Sequence, residues 1–519
     1  MVQIGGLGHD EEAGLGGPFG TERVCAVVAG STAQEMRADL LRGLKATRTV
    51  EVRLDYLRNV REREAFLGWL SHKRLKATVI ATCRTHLGGG LFRGNRKAQL
   101  EILAQAVRAG CNWCDLEIET ATHFTPAELR RALYPARLLI SYHNFRRTPS
   151  GLPEIVRRLE RAGGDAVKIA AVCNSIRDSV KLTVISRARG NRVAVPMGDV
   201  GLAGRILALR AGSALAYAAV EQTTAPGQLS LQEMKHLYRA GDITRRSRVY
   251  AVIGNPIGHS LSPVLHNTAF RVRQVDAVFV PLLVRALRDF LHAVAPFGVA
   301  GFAVTIPHKE AILRFLHDCD PLAARIGAVN TVVVRGGGRL YGYNTDYVGV
   351  LRSLERRMRL AGSRVLLLGA GGAARAAAFA LAQAGAVVGI CSRRPQRARS
   401  LAQAAGGQLV ARAELRREFF DAVVNCTPVG MDLRGGSPLG GAELHCRIVM
   451  DMVYRPRETR FLRLARARGI ETISGVEMFL AQGVAQYEIW TGERAPDAAM
   501  RRAVLSTLAT EEKSHGRSS

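Results

Sequence analysis

Apolar runs alternate with helical patterns along the first half of the chain. Segments with helical character, such as 98–109, 153–162 and 175–188, separate short apolar runs that are each long enough for one strand. Strict alternation of strands and helices predicts a parallel sheet, and eight such units predict a (β/α)8 barrel. The predicted strands are residues 24–29, 49–55, 77–84, 113–119, 137–145, 165–172, 193–198 and 215–220.

A second pattern begins after a short polar stretch. Residues 241–248, GDITRRSR, contain no core pattern and are predicted to be a linker. An apolar strand follows at 250–254, and further on the strand 364–368 runs directly into a glycine-rich turn and an Ala-rich helix. A strand, a G-x-G-x-x-(G/A) turn and a helix in this order are typical of a Rossmann-type dinucleotide-binding domain. The sequence therefore predicts an α/β protein with a barrel followed by a nucleotide-binding unit.

Composition is compatible with this picture and narrows the setting. The chain has 519 residues, too many for one ordinary core, and 47% of them are hydrophobic. No apolar stretch reaches about 18 residues, and the Gly-rich, acidic first twenty residues resemble neither a signal nor a transit peptide. We expect a cytoplasmic enzyme without a membrane partner, and loose tails at 1–22 and 509–519.

Charge and cysteine content argue against two other classes of protein, nucleic-acid-binding proteins and thiol redox enzymes. The net charge of +29 comes from 64 arginines and nine lysines that are spread along the chain, without a basic block interleaved with aromatic residues. This distribution favours attraction of small anions over nucleic-acid binding. The nine cysteines are scattered, and the Cys-x-x-Cys at 111–114 precedes a predicted strand rather than the helix of a redox motif. We expect reduced, mostly buried thiols.

Polar residues follow or interrupt the predicted barrel strands. Lys168 lies in the middle of the apolar run GDAVKIAAV, where an unpaired ammonium is costly. Strand two places Glu51, Arg53 and Asp55 on one face, opposite two apolar residues, so this face points into the barrel. A structural pair of Glu51 with Arg53 is an alternative to a functional role. At or beyond the ends of other strands stand Arg84, His143, Arg205, Thr224 and Gln228. Active sites of such barrels lie at these carboxyl ends.

The combination predicts amine chemistry. A lysine inside a mostly apolar barrel becomes a neutral nucleophile at pH 7, and it attacks a ketone to form an imine. The iminium makes an adjacent C–H bond acidic, and His143 stands ready to take that proton. The arginines supply a clamp for a carboxylate.

These residues resemble the type I 3-dehydroquinate dehydratases. The resemblance covers about residues 23–240 and rests on EVRLD, the Arg84 strand end, SYHNF, AVKIA, the 197–205 segment and the APGQ loop. It implies that Lys168 forms the imine at the ketone of 3-dehydroquinate and that His143 drives loss of water to give 3-dehydroshikimate. It also implies the substrate-binding residues, with threonine standing where the family usually has serine: Glu51, Arg53, Arg84, Arg205, Thr224 and Gln228.

One stretch departs from that family. After the strand-three arginine the family typically reads Arg-x-x-x-Glu-Gly-Gly, and its glutamate partners the catalytic histidine; here Gly88 takes the place of the glutamate. His86 stands two residues beyond Arg84, and we expect it to share the inward face and to substitute in part. The alternative is that water or another carboxylate fills the gap. The hypothesis predicts an active dehydratase with an altered pH profile.

The glycine turn of the second half carries a cofactor prediction. Gly369, Gly371, Gly372 and Ala374 open the Ala-rich helix, where backbone N–H groups face a pyrophosphate. About 20 residues later an NAD-binding domain has an acid for the ribose hydroxyl. This chain has no acid there, and the strand ends in Ser392, Arg393 and Arg394. The pattern indicates NADP(H), and no metal is predicted.

Residues around this unit resemble the shikimate dehydrogenases from about 248 to 508. The resemblance rests on NPIGHSLSP, VTIPHK, GAVNT, GYNTD, NCTPVGM, DMVY and MFLAQ. It implies a catalytic pair of Lys309 and Asp346, a substrate domain at 249–350 and 475–508, and a nucleotide domain at 351–474. The implied shikimate-binding residues are Ser260, Ser262, Thr305, Asn330, Tyr454 and Gln482, and Met452 and Gly475 join Arg393 on the NADP side.

The order of the two halves resembles the fused dehydratase–dehydrogenase enzymes, in which the product of the first half is the substrate of the second. Two alternatives remain open at this point. The second half could be a quinate dehydrogenase, since quinate differs from shikimate by a hydroxyl and ring saturation, although the paired Ser260 and Ser262 favour shikimate. The first half could also be an inactive scaffold that only supports the second.

Overall fold

The computed structural model describes residues 17–188, 190–258, 260–431 and 435–515. The chain divides between Ser247 and Arg248 into two compact units. Within the described ranges, none of the helices has the length and apolar character needed to cross a membrane.

The first unit is a nearly closed barrel of eight parallel strands. Their order around the sheet is β7-β6-β5-β4-β3-β2-β1-β8, and at the seam Ala214 N donates to Arg192 O at 2.9 Å. The predicted (β/α)8 fold is confirmed. The strands are β1 Val24–Val28, β2 Thr49–Arg53, β3 Thr78–Thr82, β4 Trp113–Glu117, β5 Arg137–Asn144, β6 Ala166–Val172, β7 Arg192–Met197 and β8 Ala216–Ala219.

Local signals in the sequence set where the surrounding helices begin. Helix α1 follows Thr32, whose hydroxyl accepts from Glu35 N while the Glu35 carboxylate accepts from Thr32 N, which is a capping box. Helix α5 repeats this arrangement with Thr125 and Glu128. The helices of the barrel are α1 Ala33–Ala46, α2 Val60–Ser71, α3 Arg96–Arg108, α4 Ile118–Ala121, α5 Pro126–Ala132, α6 Leu152–Arg161, α7 Ile176–Val184 and α8 Leu202–Ala211.

The described part of the predicted N-terminal tail packs against the barrel. Phe19 is buried, and its ring centroid lies 4.1 Å from that of Trp113. Thr78 Oγ1 donates to Phe19 O at 3.0 Å, and Arg137 Nη1 donates to Pro18 O at 2.9 Å. Residues 17–22 therefore belong to the packed unit because one aromatic side chain anchors them, a contact that the Gly-rich composition did not indicate. Residues 1–16 lie outside the described part.

The second unit begins with a mixed six-stranded sheet in the order β10-β9-β11-β13-β14-β12. Buried aromatic residues of β9 and β10 pack on the helices that flank this sheet. Its strands are β9 Arg248–Gly254, β10 Ala277–Leu283, β11 Val299–Val304, β12 Asp318–Cys319, β13 Thr331–Arg335 and β14 Arg339–Tyr343. Its helices are α9 Ser262–Val272, α10 Leu287–Phe297, α11 Pro321–Ile326 and α12 Asp346–Glu355.

A second, parallel six-stranded sheet follows in the order β17-β16-β15-β18-β19-β20. This arrangement is that of a doubly wound dinucleotide-binding domain. Its strands are β15 Arg364–Leu368, β16 Val387–Cys391, β17 Gln408–Leu409, β18 Phe420–Asn425, β19 Cys446–Asp451 and β20 Glu471–Ile473. Its helices are α13 Gly372–Gln383, α14 Pro395–Ala405 and α15 Arg460–Arg466.

The last two helices, α16 Gly475–Thr491 and α17 Asp497–His515, return to the core of the first sheet of this unit. Helix α17 continues through residues 509–515, which the sequence assigned to a tail, and Arg455 Nη2 lies 2.8 Å from Glu511 Oε1. Residues 516–519 lie outside the described part.

Candidate active sites

Lys168 occupies the middle of β6, with its ammonium inside the barrel. Its Nζ lies 3.3 Å from Glu51 Oε1 and forms a second, shorter ion pair with Asp115 Oδ2. The ring centroid of Tyr217 lies 4.2 Å from the same nitrogen. The mostly apolar surroundings expected from the sequence are therefore wrong: two carboxylates and an aromatic face contact the amine.

Asp115 connects the lysine to the other strand ends. Arg84 Nη2 lies 2.9 Å from Asp115 Oδ2, and Ser141 Oγ donates to Asp115 Oδ1 at 2.6 Å. Burial alone would raise the pKa of Asp115, but the cations of Arg84 and Lys168 outweigh it and lower that pKa below its ordinary value. The carboxylate is therefore ionised and holds both cations in place.

His143 lies beside this cluster as a neutral imidazole. Burial, and then the positive charges of Arg84 and Lys168, lower the pKa of His143 well below its ordinary value. Arg84 Nη1 lies 2.7 Å from His143 Nδ1, and a guanidinium can only donate, so Nδ1 is the unprotonated nitrogen here. The proton of the neutral ring is then on Nε2.

The remaining predicted residues line the same cavity. Arg53 makes a bidentate pair with Asp55 at 2.8 and 3.0 Å, so the alternative pairing of Arg53 with Glu51 is wrong. Arg205 Nη2 donates to Pro226 O at 3.0 Å, and burial lowers the pKa of its guanidinium to about 10. Thr224 N donates to the Gln228 side-chain oxygen at 2.7 Å. About 50 Å³ of this cavity is free, enough for one or two waters.

Glu117 occupies the space beside Gly88. A Cβ added at Gly88 would lie 1.8 Å from Glu117 Oε1. That carboxylate accepts from Thr85 N at 3.0 Å, Thr85 Oγ1 at 2.9 Å and Gln99 Nε2 at 2.8 Å. Another carboxylate thus stands near the vacant position, as the alternative in the sequence analysis anticipated.

His86 does not share the inward face of Arg84. Strand β3 ends at Thr82, and the turn that follows leaves His86 exposed while Arg84 is buried. A separate cavity of about 670 Å³ runs along this turn, and its lining includes His86, Glu117 and His143. The histidine of the site therefore borders two cavities.

In the second unit, the predicted catalytic pair is in contact. Lys309 Nζ lies 2.5 Å from Asp346 Oδ2. Asn330 Nδ2 donates to Asp346 Oδ1 at 2.8 Å and to Thr345 Oγ1 at 3.0 Å. Asp346 is the first residue of α12 and is buried, whereas the Lys309 side chain is 17% exposed. The Lys309 side chain is therefore accessible to a substrate, while its partner Asp346 is not.

The predicted polyol-binding residues fall into two groups. Ser260 and Ser262 lie at the start of α9, where Ser262 N donates to Ser260 Oγ at 3.3 Å, and Ser260 is close enough to the Tyr454 phenol to act on its pKa. Burial raises the pKa of Tyr454, and its ring stacks on Phe479 with centroids 4.5 Å apart. Gln482 Nε2 donates to Phe479 O at 2.9 Å. The second group is Thr305, after β11, and Asn330, before β13.

The glycine turn has the geometry of a phosphate cradle. Gly369 has φ +116°, a conformation that favours glycine, and a Cβ at Gly371 would meet nothing within 4 Å. Gly372 begins α13, and a Cβ there would lie 3.3 Å from the Cβ of Lys309. The turn is therefore open toward a ligand and adjoins Lys309, the predicted catalytic lysine. Ala374 is buried in the helix.

Residues that line the predicted NADP side surround this turn. Arg393 and Arg394 are exposed after β16, and Ser392 Oγ accepts from Arg394 N at 3.3 Å. Met452 N donates to Asn425 O at 3.0 Å, next to the end of β18. A Cβ at Gly475 would lie 2.5 Å from Val453 O, so this position needs glycine. Among the described residues, no cluster of three or more His, Cys, Asp or Glu is arranged for a metal.

Four residues of the first site were not predicted from the sequence: Asp115, Glu117, Ser141 and Tyr217. A usable signal existed for two of them. Trp113, Asp115 and Glu117 alternate along β4, which places both carboxylates on one face of the strand. The contacts of Ser141 and Tyr217 depend on which strands become neighbours in the barrel.

Profiles of three protein families match the chain. They are type I 3-dehydroquinase at residues 24–245, the shikimate dehydrogenase substrate binding domain at 252–332, and the shikimate 5'-dehydrogenase C-terminal domain at 475–505. The first profile spans most of the barrel unit, and the other two lie within the second unit.

Individual relatives cover one or both units. A shikimate dehydrogenase (NADP(+)) of Symbiobacterium thermophilum is 44% identical over 280 residues, which are 50% of this chain and 95% of that protein. The crystal structure of shikimate 5-dehydrogenase from Thermus thermophilus in complex with NADP(H) and shikimate is 37% identical, covers 50% of this chain and 98% of its own, and has a TM-score of 0.47. The chloroplastic bifunctional 3-dehydroquinate dehydratase/shikimate dehydrogenase of Arabidopsis thaliana is 35% identical over 495 residues, 91% of this chain and 80% of that protein. Since that similarity spans both units, this chain belongs to the family of bifunctional 3-dehydroquinate dehydratase/shikimate dehydrogenases.

Proposed function

We propose that the first unit dehydrates 3-dehydroquinate to 3-dehydroshikimate and that the second reduces 3-dehydroshikimate to shikimate with NADPH. The observation that carries the proposal is the presence of two separate, complete sets of reacting groups in one chain. In the barrel, Lys168, Asp115, Arg84 and His143 form one connected cluster. In the second unit, Lys309 is paired with Asp346.

Lys168 is the proposed nucleophile of the dehydratase. Its amine loses a proton and attacks the substrate ketone; loss of water from the carbinolamine leaves an iminium. Asp115 and Glu51 contact the nitrogen and are suited to accept that proton. They also offset the positive charge of the iminium, and the Tyr217 ring face 4.2 Å from the nitrogen favours the same cation.

His143 is the proposed acid and base of the elimination. It takes a proton from the carbon next to the iminium and returns it to the departing hydroxyl, which leaves as water; a water then hydrolyses the product iminium, which releases 3-dehydroshikimate and restores the Lys168 amine. Arg84 Nη1 contacts Nδ1, the basic nitrogen. We expect the substrate carboxylate to draw Arg84 away, together with Arg53 and Arg205, which frees the base as the ligand enters.

The remaining barrel residues position the substrate. Gln228 and Thr224 already hold each other through a hydrogen bond at the cavity wall, and their other polar groups are available to substrate hydroxyls. The Arg84–His143 contact is the one that catalysis needs to open, because it covers the basic nitrogen of the imidazole.

The residues of the second unit fit a bound NADP(H). The open position at Gly371, the positive φ at Gly369 and the helix start at Gly372 offer backbone N–H groups to a pyrophosphate, with Ala374 packed beneath them. Arg393, aided by Arg394 and Ser392, would hold the 2′-phosphate, and Met452 and Gly475 would border the nicotinamide side. When bound, NADPH supplies the hydride that reduces the ketone.

Lys309 is the proposed proton donor to the oxygen of that ketone. Asp346 holds the ammonium 2.5 Å away, and Asn330 holds the carboxylate in turn. The hydroxyls and carboxylate of the substrate would bind the remaining polar residues, which are Ser260, Ser262, Thr305, Asn330, Tyr454 and Gln482. These groups supply orientation, and Lys309 supplies the proton.

The two alternatives make different predictions. A quinate dehydrogenase would turn over quinate better than shikimate, and an inactive barrel would leave 3-dehydroquinate unchanged. The test is to follow enone absorbance with 3-dehydroquinate alone, and then NADPH oxidation with 3-dehydroshikimate. Enone formation in the first assay and NADPH oxidation in the second support the proposal. Absence of enone overturns the dehydratase function of the barrel, and absence of NADPH oxidation overturns the reductase function of the second unit.

We also propose a cytoplasmic location and the limits 17–240 for the barrel, 241–247 for the linker and 248–515 for the dehydrogenase, with a substrate part at 248–350 and 475–515 and a nucleotide part at 351–474. The free thiols of all nine cysteines support a reducing compartment. Separate expression of 1–247 and 248–519 tests the division, because each piece should keep its own activity.

A further inference from the structure

A buried chain of hydrogen bonds leads away from the catalytic pair of the second unit. It begins at Asn330, whose Nδ2 holds Asp346 Oδ1 at 2.8 Å and whose Oδ1 accepts from Thr345 N at 2.7 Å. Rotation of this amide by half a turn would aim its oxygen at the Asp346 carboxylate. The orientation of Asn330 therefore decides whether Asp346 is held or repelled.

Thr331 fixes that orientation from the other side. Its Oγ1 donates to Asn330 Oδ1 at 2.8 Å and accepts from Gln486 Nε2 at 3.0 Å. A hydroxyl has a single proton, and Asn330 Oδ1 at 2.8 Å is a nearer acceptor for it than Thr345 Oγ1 at 3.5 Å, so that proton is directed at Asn330. The carbonyl oxygen of Asn330 is thereby kept away from Asp346.

Gln486 is oriented in turn by two acceptors and one donor. Its Nε2 also donates to Asn330 O at 3.2 Å, so its amide oxygen is the group that faces His266 Nε2 at 3.3 Å. An amide oxygen only accepts, and His266 must therefore carry its proton on Nε2. His266 Nδ1, by contrast, is buried without a hydrogen-bond partner.

This chain of hydrogen bonds, the relay from Asn330 through Thr331 and Gln486 to His266, is shielded from water along its whole length. Asn330, Thr331, Gln486 and His266 are each at most 2% exposed. In such surroundings hydrogen bonds are stronger, and an unmatched polar group is costly, so one set of orientations is selected over its reverse. Burial lowers the pKa of His266 to about 3, which keeps this ring neutral and keeps its single proton available to Gln486.

We propose that Thr331 and Gln486 are positioning residues of the reduction site: they fix the Asn330 amide so that its NH2 group holds Asp346 against Lys309. This inference rests on the proposed reductase function. Neither residue belongs to the predicted catalytic or substrate-binding set, and Gln486 lies one helical turn beyond Gln482 on α16.

The test compares Thr331→Val, which removes the hydroxyl without changing the shape, with Thr331→Ser, which keeps it. Thr331→Val should lower kcat for 3-dehydroshikimate reduction by about 3- to 10-fold, the rate equivalent of losing one neutral hydrogen bond. KM for NADPH should not change. Thr331→Ser should retain most of the rate, and Gln486→Met should resemble Thr331→Val. Thr491→Val, on the same helix as Gln486 but outside the relay, is the matched control and should behave as the wild type.

Two further readouts separate positioning from damage to the fold. The deuterium isotope effect with NADPH labelled at the transferred hydrogen should rise in Thr331→Val, because the chemical step becomes slower relative to product release. Dehydratase activity of the same protein should remain at the wild-type level.

If wild-type protein reduces 3-dehydroshikimate and both Thr331→Val and Gln486→Met do so at the wild-type rate, the inference is wrong. A loss shared equally by Thr491→Val, or without a rise in the isotope effect, would also overturn it. Failure of the wild-type protein itself would instead refute the proposed function.

Discussion

Replacing Gly88 by glutamate should destabilise the barrel unless Glu117 is removed as well. The added Cβ would lie 1.8 Å from Glu117 Oε1, far inside van der Waals contact, so the Glu117 carboxylate must leave its place. It accepts three hydrogen bonds there, from two groups of Thr85 and from Gln99. Hydrogen bonds to a charged group contribute about 1.5–3 kcal/mol each, and a second carboxylate adds repulsion.

We therefore expect Gly88→Glu to lower the free energy of unfolding of the barrel by about 3 kcal/mol, since part of the network can re-form around a displaced carboxylate. For a unit of this size that corresponds to a fall in Tm of roughly 6–12 °C. Glu117→Ala alone should also destabilise, but the double variant should be more stable than the sum of the two changes predicts, by about 1–3 kcal/mol. Gly68→Glu is the control, because a Cβ at that exposed helical position meets nothing within 4 Å.

The assay is a double-mutant cycle on thermal unfolding, followed by kcat of dehydration against pH. In the double variant the new carboxylate near His143 favours its charged form, so the pKa of His143 should rise and the acidic limb of the profile should move to higher pH. A wild-type Tm for Gly88→Glu, or strictly additive effects in the cycle, would refute the assigned position of Glu117.

Three other predictions concern separate parts of the chain. Borohydride with 3-dehydroquinate should inactivate the dehydratase and add the ligand mass to a peptide that contains Lys168; full activity of Lys168→Ala would contradict the imine. Arg393→Ala should raise KM for NADPH far more than KM for shikimate, because the guanidinium would pair with the 2′-phosphate, and an unchanged preference for NADPH over NADH would show that this loop does not select the cofactor. Burial lowers the pKa of His266 to about 3, against about 6.5 in the unfolded chain, so the unfolded state binds an additional proton between these values. The stability of the second unit should therefore fall as the pH drops below 6.5, with a contribution of about 2 kcal/mol lost by pH 5, and His266→Phe should remove that contribution; equal pH dependence of urea unfolding in both proteins would contradict the neutral buried ring.

Residues with unusual chemistry in a regular pattern were predictable from the sequence. Lys168 interrupts an apolar strand, and Gly371 stands in a turn between a strand and a helix, so period and context located both. The strand ends of a parallel barrel meet at one face, which is why Arg84 and His143 were correctly expected near the lysine.

Contacts that depend on which strands are neighbours were not predictable in the same way. Lys168 was expected among apolar residues because its partner, the carboxylate of Asp115, comes from a strand more than 50 residues earlier. The loop after β3 is another case. Strand alternation does not continue beyond Thr82, so the expected orientation of His86 did not hold.

The most direct test of the account is a complementation assay with the full chain. With 3-dehydroquinate and NADPH, the wild-type protein should oxidise NADPH and accumulate shikimate, whereas Lys168→Ala and Lys309→Ala should each be silent in this coupled reaction. An equimolar mixture of the two variants should restore shikimate formation, because each supplies the active site that the other lacks. Persistent NADPH oxidation by Lys168→Ala alone, or no shikimate from the mixture when both variants are folded, would contradict two independent catalytic units in one chain.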